Sequence, residues 1–170
     1  MLIVGLAPGL KGANRTGRPF TGDFAGDLLY STLAKYHFAR GSYGATASDG
    51  LVLTGCRITN AVRCVPPQNK PVPAEILACN GFLAATIRQM KDLAVVLALG
   101  RIAHDAVLTA LALPKSKYRF GHGARHSIAG GRLLFDSYHC SRYNTNTGVL
   151  TEAMFHDVFA AVRATVDAGR

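Results

Sequence analysis

The chain opens on an uninterrupted apolar run, Leu2-Ile3-Val4-Gly5-Leu6, that stops at a loop rich in glycine and proline. A run so short, with no polar alternation, predicts a strand buried on both faces that feeds a loop at its carboxyl end. From about Phe24 to Phe38, the residues Leu28, Leu29, Leu33 and Phe38 recur at helical spacing, and Asp23 stands where an N-cap is needed. After a Gly/Ser/Thr/Ala stretch over 41–50, Leu51–Leu53 and then Arg57–Val62 read as strand ending in a polar edge. Four prolines between Val65 and Pro73 predict a stiff, extended loop, and Pro73 suits the first position of a helix that carries Ile76, Leu77, Phe82, Leu83 and Ile87 on or near one face. Leu93–Leu99 has the length and continuity of a buried strand, and Ile102–Leu111 returns to the helical period. A turn at Ala129-Gly130-Gly131 separates two strands, the second over Leu133–Ser137. The last helix, about Thr151 to Asp167, aligns Phe155, Val158, Phe159, Val162 and Val166.

Strands alternating with helices predict an α/β fold of three layers, α/β/α, with a mostly parallel central sheet and a single domain over residues 1–170. In such a sheet, ligands bind outside the carboxyl ends of the strands. Three polar loops leave those ends here: Ala7 to Asp23, Asn60 to Cys64, and Tyr138 to Thr147.

Composition narrows the class. With 49% hydrophobic and 17% charged residues the chain can build a core without disulfide staples. It has no apolar run long enough to span a membrane and no signal-peptide pattern, so a cytosolic protein with no membrane partner is expected. Nineteen basic against ten acidic residues give a formal charge of +9. That excess favours a polyanionic partner such as nucleic acid, although ribosomal and membrane-surface proteins are as basic. Cys56, Cys64, Cys79 and Cys140 are then core thiols, metal ligands or catalysts rather than disulfides.

The first loop, GLAPGLKGANRTGRPFTGD over Gly5–Asp23, combines five glycines with two arginines, a lysine and an aromatic ring. Its backbone can approach a ligand closely while supplying charge and a stacking face. It contains neither a Walker GxxxxGK[ST] nor a GxGxxG fingerprint. Taken alone, it is either a tight strand-to-helix connection or an anion-binding loop at a helix start.

Together with Thr59-Asn60-Ala61-Val62-Arg63-Cys64, the following Pro66-Pro67, and Ser137–Gly148 (SYHCSRYNTNTG), the loop resembles the signatures of the type-5 uracil-DNA glycosylases, in their order along the chain. The resemblance implies a uracil-DNA glycosylase fold and hydrolysis of the N-glycosidic bond of uracil in single- or double-stranded DNA, as the first step of base-excision repair. Other deaminated bases are possible substrates of that type. It implies no cofactor for the chemical step and a monomeric enzyme. Base flipping demands an aromatic face and amide groups in one pocket, and the resemblance places Ala7, Phe20 and Asn60 there. Phe20 would stack on the ring, and the Asn60 amide would both donate to a carbonyl and accept from the ring N–H. His139 would donate to the uracil O2 as charge develops. Asp23 would orient or deprotonate water, or stabilise the cationic sugar, and also suits a helix cap.

By their charge, Arg15, Arg18, Lys70, Arg101 and Arg142, spread over the loops and one helix start, are candidate phosphate contacts or merely solvated charges. The resemblance implies that the loop Ser141–Asn146, with Ser141 and Asn144, presses into the DNA where the base has left, with Arg142 or Tyr143 as the wedge. His122 and His126 receive no role. Two positions depart from related patterns: Leu6 stands where type-4 relatives carry Glu, and Cys140 where Pro commonly follows the histidine. Cys64 and Cys79 match half of a four-cysteine [4Fe–4S] site whose other pair, in the resembled families, precedes the first strand. Because the sequence begins inside an expected strand, a preceding segment with a closely spaced cysteine pair is expected. Two rivals stay open: a catalytically inactive DNA-damage-binding protein of the same fold, and an unrelated nucleotide-binding α/β enzyme.

Overall fold

The computed structural model describes residues 1–169. In chain order it has β1 (Leu2–Gly5), the one-turn α1 (Ala13–Thr16), α2 (Phe24–Lys35), β2 (Ala39–Arg40), β3 (Val52–Leu53) and β4 (Arg57–Asn60). There follow α3 (Pro73–Gln89), β5 (Val95–Leu99), α4 (Arg101–Ala110), β6 (Arg125–Ile128), β7 (Arg132–Ser137), α5 (Arg142–Asn146) and α6 (Glu152–Ala168). Five strands form one sheet in the order β4-β1-β5-β7-β6. All pair in parallel except the edge strand β6, which returns antiparallel to β7.

Alternation along the strands splits the core into two layers. Ile3, Val95, Leu97, Leu99 and Phe135 face a layer built with Leu29 and Leu33 of α2 and Phe155 and Phe159 of α6. Leu2, Val4, Val96, Ala98 and Leu134 face Leu83 and Ile87 of α3 and Ala103 and Val107 of α4. Side chains in a strand point alternately to opposite faces, so a strand with a helix layer on each side must be apolar throughout. The unbroken runs of β1 and β5 obey this, and the expected α/β/α architecture is present.

Several local expectations change. The helix begun by Asp23 stops at Lys35 rather than Phe38, because His37 takes a left-handed turn (φ 59°) and Phe38 N–H bonds back to Leu33 O at 2.7 Å. That turn drives Phe38 into the core. Leu51–Leu53 does not join the main sheet; β3 pairs instead with β2 as a small antiparallel ribbon. The proline-rich loop contains a 3-10 turn over Pro67–Asn69, with Gln68 and Asn69 both at positive φ. The segment 138–147, expected as loop, contains α5, capped by the Ser141 hydroxyl, which accepts from Asn144 N–H. Its polar sequence carries no apolar period from which a helix could be read.

Candidate active site

The carboxyl ends of β1, β5 and β7 open into one cavity of about 560 Å³, with Asp23, Phe20 and His139 on its walls. Of the three polar loops expected to converge, those over 7–23 and 138–147 line the cavity, because parallel pairing aligns the strand ends, whereas no residue of 60–64 is on its wall. Gly5 lies opposite Asn60 in the β1/β4 register, and Leu99 opposite Ser137 in β5/β7. Gly100 N–H then bonds to Ser137 O at 2.8 Å, holding the cavity floor to the strand that delivers His139.

Asp23 caps α2. Its carboxylate accepts from Gly26 N–H at 3.3 Å, while its second oxygen packs against the backbone at Gly9 and Gly12. A side chain at Gly12 would collide with that carboxylate, so glycine there lets the first loop close over it. Burial raises the Asp23 pKa above the usual carboxylate value, partly offset by backbone N–H groups of Gly26 and Ala25. Both expected roles, cap and cavity carboxylate, are therefore available to one side chain.

His139 sits on the cavity wall with its ring stacked toward Phe20, centroids 5.8 Å apart and planes 29° apart. Burial pushes its pKa down to about 4, so the imidazole is neutral at physiological pH. Its backbone is fixed by the Asn144 amide, which donates to His139 O at 2.8 Å. Next to it, Tyr138 N–H donates to His122 Nδ1 at 3.2 Å. Cys140, fully buried, points its thiol at Ala25 O (3.6 Å) and fills the core behind the loop.

Phe20 adopts a left-handed backbone (φ 54°), an uncommon state for a bulky residue. The turn is held from every side. Tyr30 donates to Pro19 O (2.6 Å), Tyr43 to Phe20 O (3.2 Å), and Arg18 Nε to Thr21 Oγ1 (2.7 Å). The Arg18 guanidinium makes a two-pronged ion pair with Asp49 (2.8 and 2.6 Å) and lies 5.0 and 5.5 Å from the Tyr30 and Tyr43 ring centres. Paired so closely with Arg18, Asp49 has a pKa well below the usual carboxylate range. Strain of this kind persists only where the surroundings over-determine it. Arg18, expected at the DNA, is thus compensated inside the protein. Tyr43 and Asp49 carry no sequence signal, because the 41–50 stretch reads only as a connection, and Tyr30 lies within α2 without one.

Asn60 is placed by the β1/β4 register beside Gly5, where a methyl group would come within 2.5 Å of Asn60 Oδ1 and 2.6 Å of Phe20 Cζ. The amide and the ring therefore pack together over a residue that must be glycine. Asn60 does not itself line the cavity. Its Oδ1 is buried with no hydrogen-bond partner, a state that costs about 1–3 kcal/mol.

The remaining expected residues divide into two groups. Ala7, Ser141 and Arg142 line the cavity, with Arg142 5.1 Å from the centre of the Phe24 ring. Arg15 is exposed, with Nε bonded to Lys11 O at 3.0 Å, and Tyr143 is 73% exposed at the start of α5. Ser141 and Asn144 are engaged in capping α5 and holding His139. Phe24, Asn69, Leu99 and Ile102 also line the cavity and were not anticipated.

Cys64 and Cys79 lie at one exposed corner. Arg63 N–H, one residue before Cys64, donates to Cys79 Sγ at 3.5 Å; Cys64 is exposed and Cys79 partly so.

Comparison with known proteins shows the family. The family model of the uracil DNA glycosylase superfamily matches residues 1–163, and the chain belongs to that superfamily. Within it, the chain is 46% identical over 158 residues to the type-5 uracil-DNA glycosylase of Thermus thermophilus, covering 93% of this chain and 72% of that protein. It is 44% identical over 161 residues to the type-5 uracil-DNA glycosylase of Mycobacterium tuberculosis, covering 94% of this chain and 60% of that protein. The type-4 uracil-DNA glycosylase of Thermotoga maritima is more distant, 31% identical over 142 residues, covering 83% of this chain and 64% of that protein. No helix among the described residues is long and apolar enough to cross a membrane.

Proposed function

We propose that this chain is a monofunctional DNA glycosylase of the type-5 kind, which flips uracil, and other deaminated bases that fit, into the cavity and hydrolyses the glycosidic bond. The observation that carries this reading is the meeting of a carboxylate, Asp23, and a neutral imidazole, His139, on the walls of one cavity beside an aromatic ring, Phe20. An extruded base needs a stacking face and a polar reader. Phe20 supplies the first and the unpartnered Asn60 Oδ1 the second. Because Phe20 packs against that amide, its ring shifts as the base enters, and Ala7 leaves room for it.

As the N1–C1′ bond breaks, its electron pair passes to the base, and the charge on O2 is met by an N–H of His139. Asp23 holds the water that adds to C1′ and takes its proton, while its negative charge favours the cationic sugar. The departing uracil anion is protonated from solvent and Asp23 returns the water's proton to solvent, leaving free uracil and an abasic site for later repair. Arg142 and Tyr143 fill the space the base leaves, and Arg15, Lys70 and Arg101 face phosphates. Arg18 instead positions Phe20, and Ser141 and Asn144 position the His139 loop.

Cys64 and Cys79 would hold one side of a [4Fe–4S] cluster, which would supply a structural clamp and no chemistry at C1′. The enzyme acts as a cytosolic monomer; the four free thiols fit a reducing compartment. The test is incubation with a U:G duplex, assaying free uracil and alkali-labile sites. Salt-sensitive DNA binding with no abasic product would support the inactive damage-binding rival. Nucleotide binding without DNA binding would support the other.

A further inference from the structure

Outside the cavity, between α4, β6 and β7, His104 Nδ1 lies 2.8 Å from Asp136 Oδ1 and His126 Nε2 lies 3.3 Å from Asp136 Oδ2. One ligand-type atom from each of the three residues falls within 4.8 Å of the others. Asp136 is fully buried and His104 is 1% exposed. Asp136 is the polar member of an otherwise apolar strand face shared with Leu134 and Ala98, and an ionised carboxylate there is stable only with a hydrogen-bond donor or a cation beside it.

The hydrogen-bond pattern restricts what that partner is. His104 Nε2 is 3.0 Å from Tyr118 O, which can only accept, so Nε2 carries a hydrogen. Nδ1 is thereby directed at Asp136 and toward His126. A proton on Nδ1 would satisfy His104 and Asp136 as an ion pair, but it leaves unexplained why a second imidazole converges on the same carboxylate. A histidine whose far nitrogen donates to a backbone carbonyl is the arrangement that orients metal-bound imidazoles. The rings of Phe120 and Tyr118 stand edge-on to His104 and His126 at 5.7 and 5.8 Å, which shields the cluster. The His126 side chain, 17% exposed, keeps the cluster in contact with solvent.

We propose that His104, His126 and Asp136 form a binding site for a divalent transition-metal ion of the zinc class. Two imidazoles and a carboxylate with one open position suit zinc or cobalt(II) and disfavour magnesium or calcium, which prefer all-oxygen sets. The ion ties the edge strand β6 and helix α4 to β7, three residues before His139. It is a different site from the Cys64/Cys79 corner and takes no part in bond cleavage.

The test is titration of the chelator-treated full chain with Co²⁺ and then Zn²⁺, followed by visible absorption and calorimetry. The proposal expects one equivalent of Co²⁺ with a d–d band and no sulfur charge-transfer band, displaced by Zn²⁺. The partly exposed His126→Ala variant should bind at least about tenfold more weakly, whereas Cys64→Ser with Cys79→Ser should leave this binding intact. His126→Cys should still bind and gain the charge-transfer band, so the site stays testable if the alanine variant folds poorly. No Co²⁺ binding, binding unchanged in His126→Ala, no charge-transfer band in His126→Cys, or binding abolished by the Cys64→Ser and Cys79→Ser substitutions would overturn the proposal.

Discussion

The side-chain amide of Asn144 donates to the backbone carbonyl of His139 across 2.8 Å, from one turn inside the short helix α5. A residue expected to touch DNA is therefore positioned to fix the backbone that carries the His139 imidazole. Asn144→Ala should lower single-turnover uracil excision by about tenfold, about 1.4 kcal/mol at the transition state, with a smaller effect on binding to abasic DNA. Loss of DNA binding with an unchanged excision rate would return Asn144 to the interface.

Asn60 gives a contrast between stability and activity. Its Oδ1 is buried without a partner, so Asn60→Ala removes an unsatisfied acceptor rather than a bond. The melting temperature should be unchanged or higher, while excision falls by at least about tenfold for want of the group that reads the base. A destabilised variant with normal excision would show that the amide is structural.

The Arg18–Asp49 pair separates a strut from a phosphate contact. Asp49→Ala, or Arg18→Lys, which cannot reproduce the two-pronged bond, should release the Phe20 turn and slow excision. Both should leave the salt dependence of DNA binding as in the wild type. Arg15→Ala should instead reduce the slope of log K against log salt by about one. If Arg18→Lys changes the affinity for undamaged DNA as Arg15→Ala does, Arg18 faces the DNA.

The low pKa of His139 has consequences in two measurements. With a value of about 4, the imidazole does not titrate near 6.5, so the excision rate should show no His139-dependent inflection between pH 5.5 and 8. Between about 6.5 and about 4 the unfolded chain binds a proton at this position that the folded chain does not. Stability should therefore fall as pH drops through that window. His139→Gln should lose this part of the pH dependence, measured as urea midpoints at pH 7.5 and 5. An inflection near 6.5 that disappears in His139→Gln would contradict a buried, neutral imidazole.

The layers and the convergence of loops were legible because β1 and β5 are apolar throughout and Asp23 and Pro73 mark helix starts in their own sequence. Phe20, Asp23 and His139 were found through the motif resemblance, since no local period singles them out. What stayed hidden depends on tertiary pairing. Asp49 acquires a role only because the chain returns it to Arg18, 31 residues away, and Asp136 looks like one more strand residue until α4 brings His104 to it. The helix α5 escaped notice for a different reason, as its stability comes from a cap and polar side chains rather than an apolar stripe.

The central claim is that His139 and Asp23 perform hydrolysis in this cavity. Its most direct test is single-turnover release of uracil from a U:G duplex by the wild type, His139→Ala and Asp23→Asn, with binding to abasic DNA measured in parallel. The account predicts cleavage by the wild type, a loss of about 10²-fold or more in His139→Ala with binding retained, and a slower rate in Asp23→Asn. Equal rates in all three proteins, or no uracil released by the wild type, would contradict it.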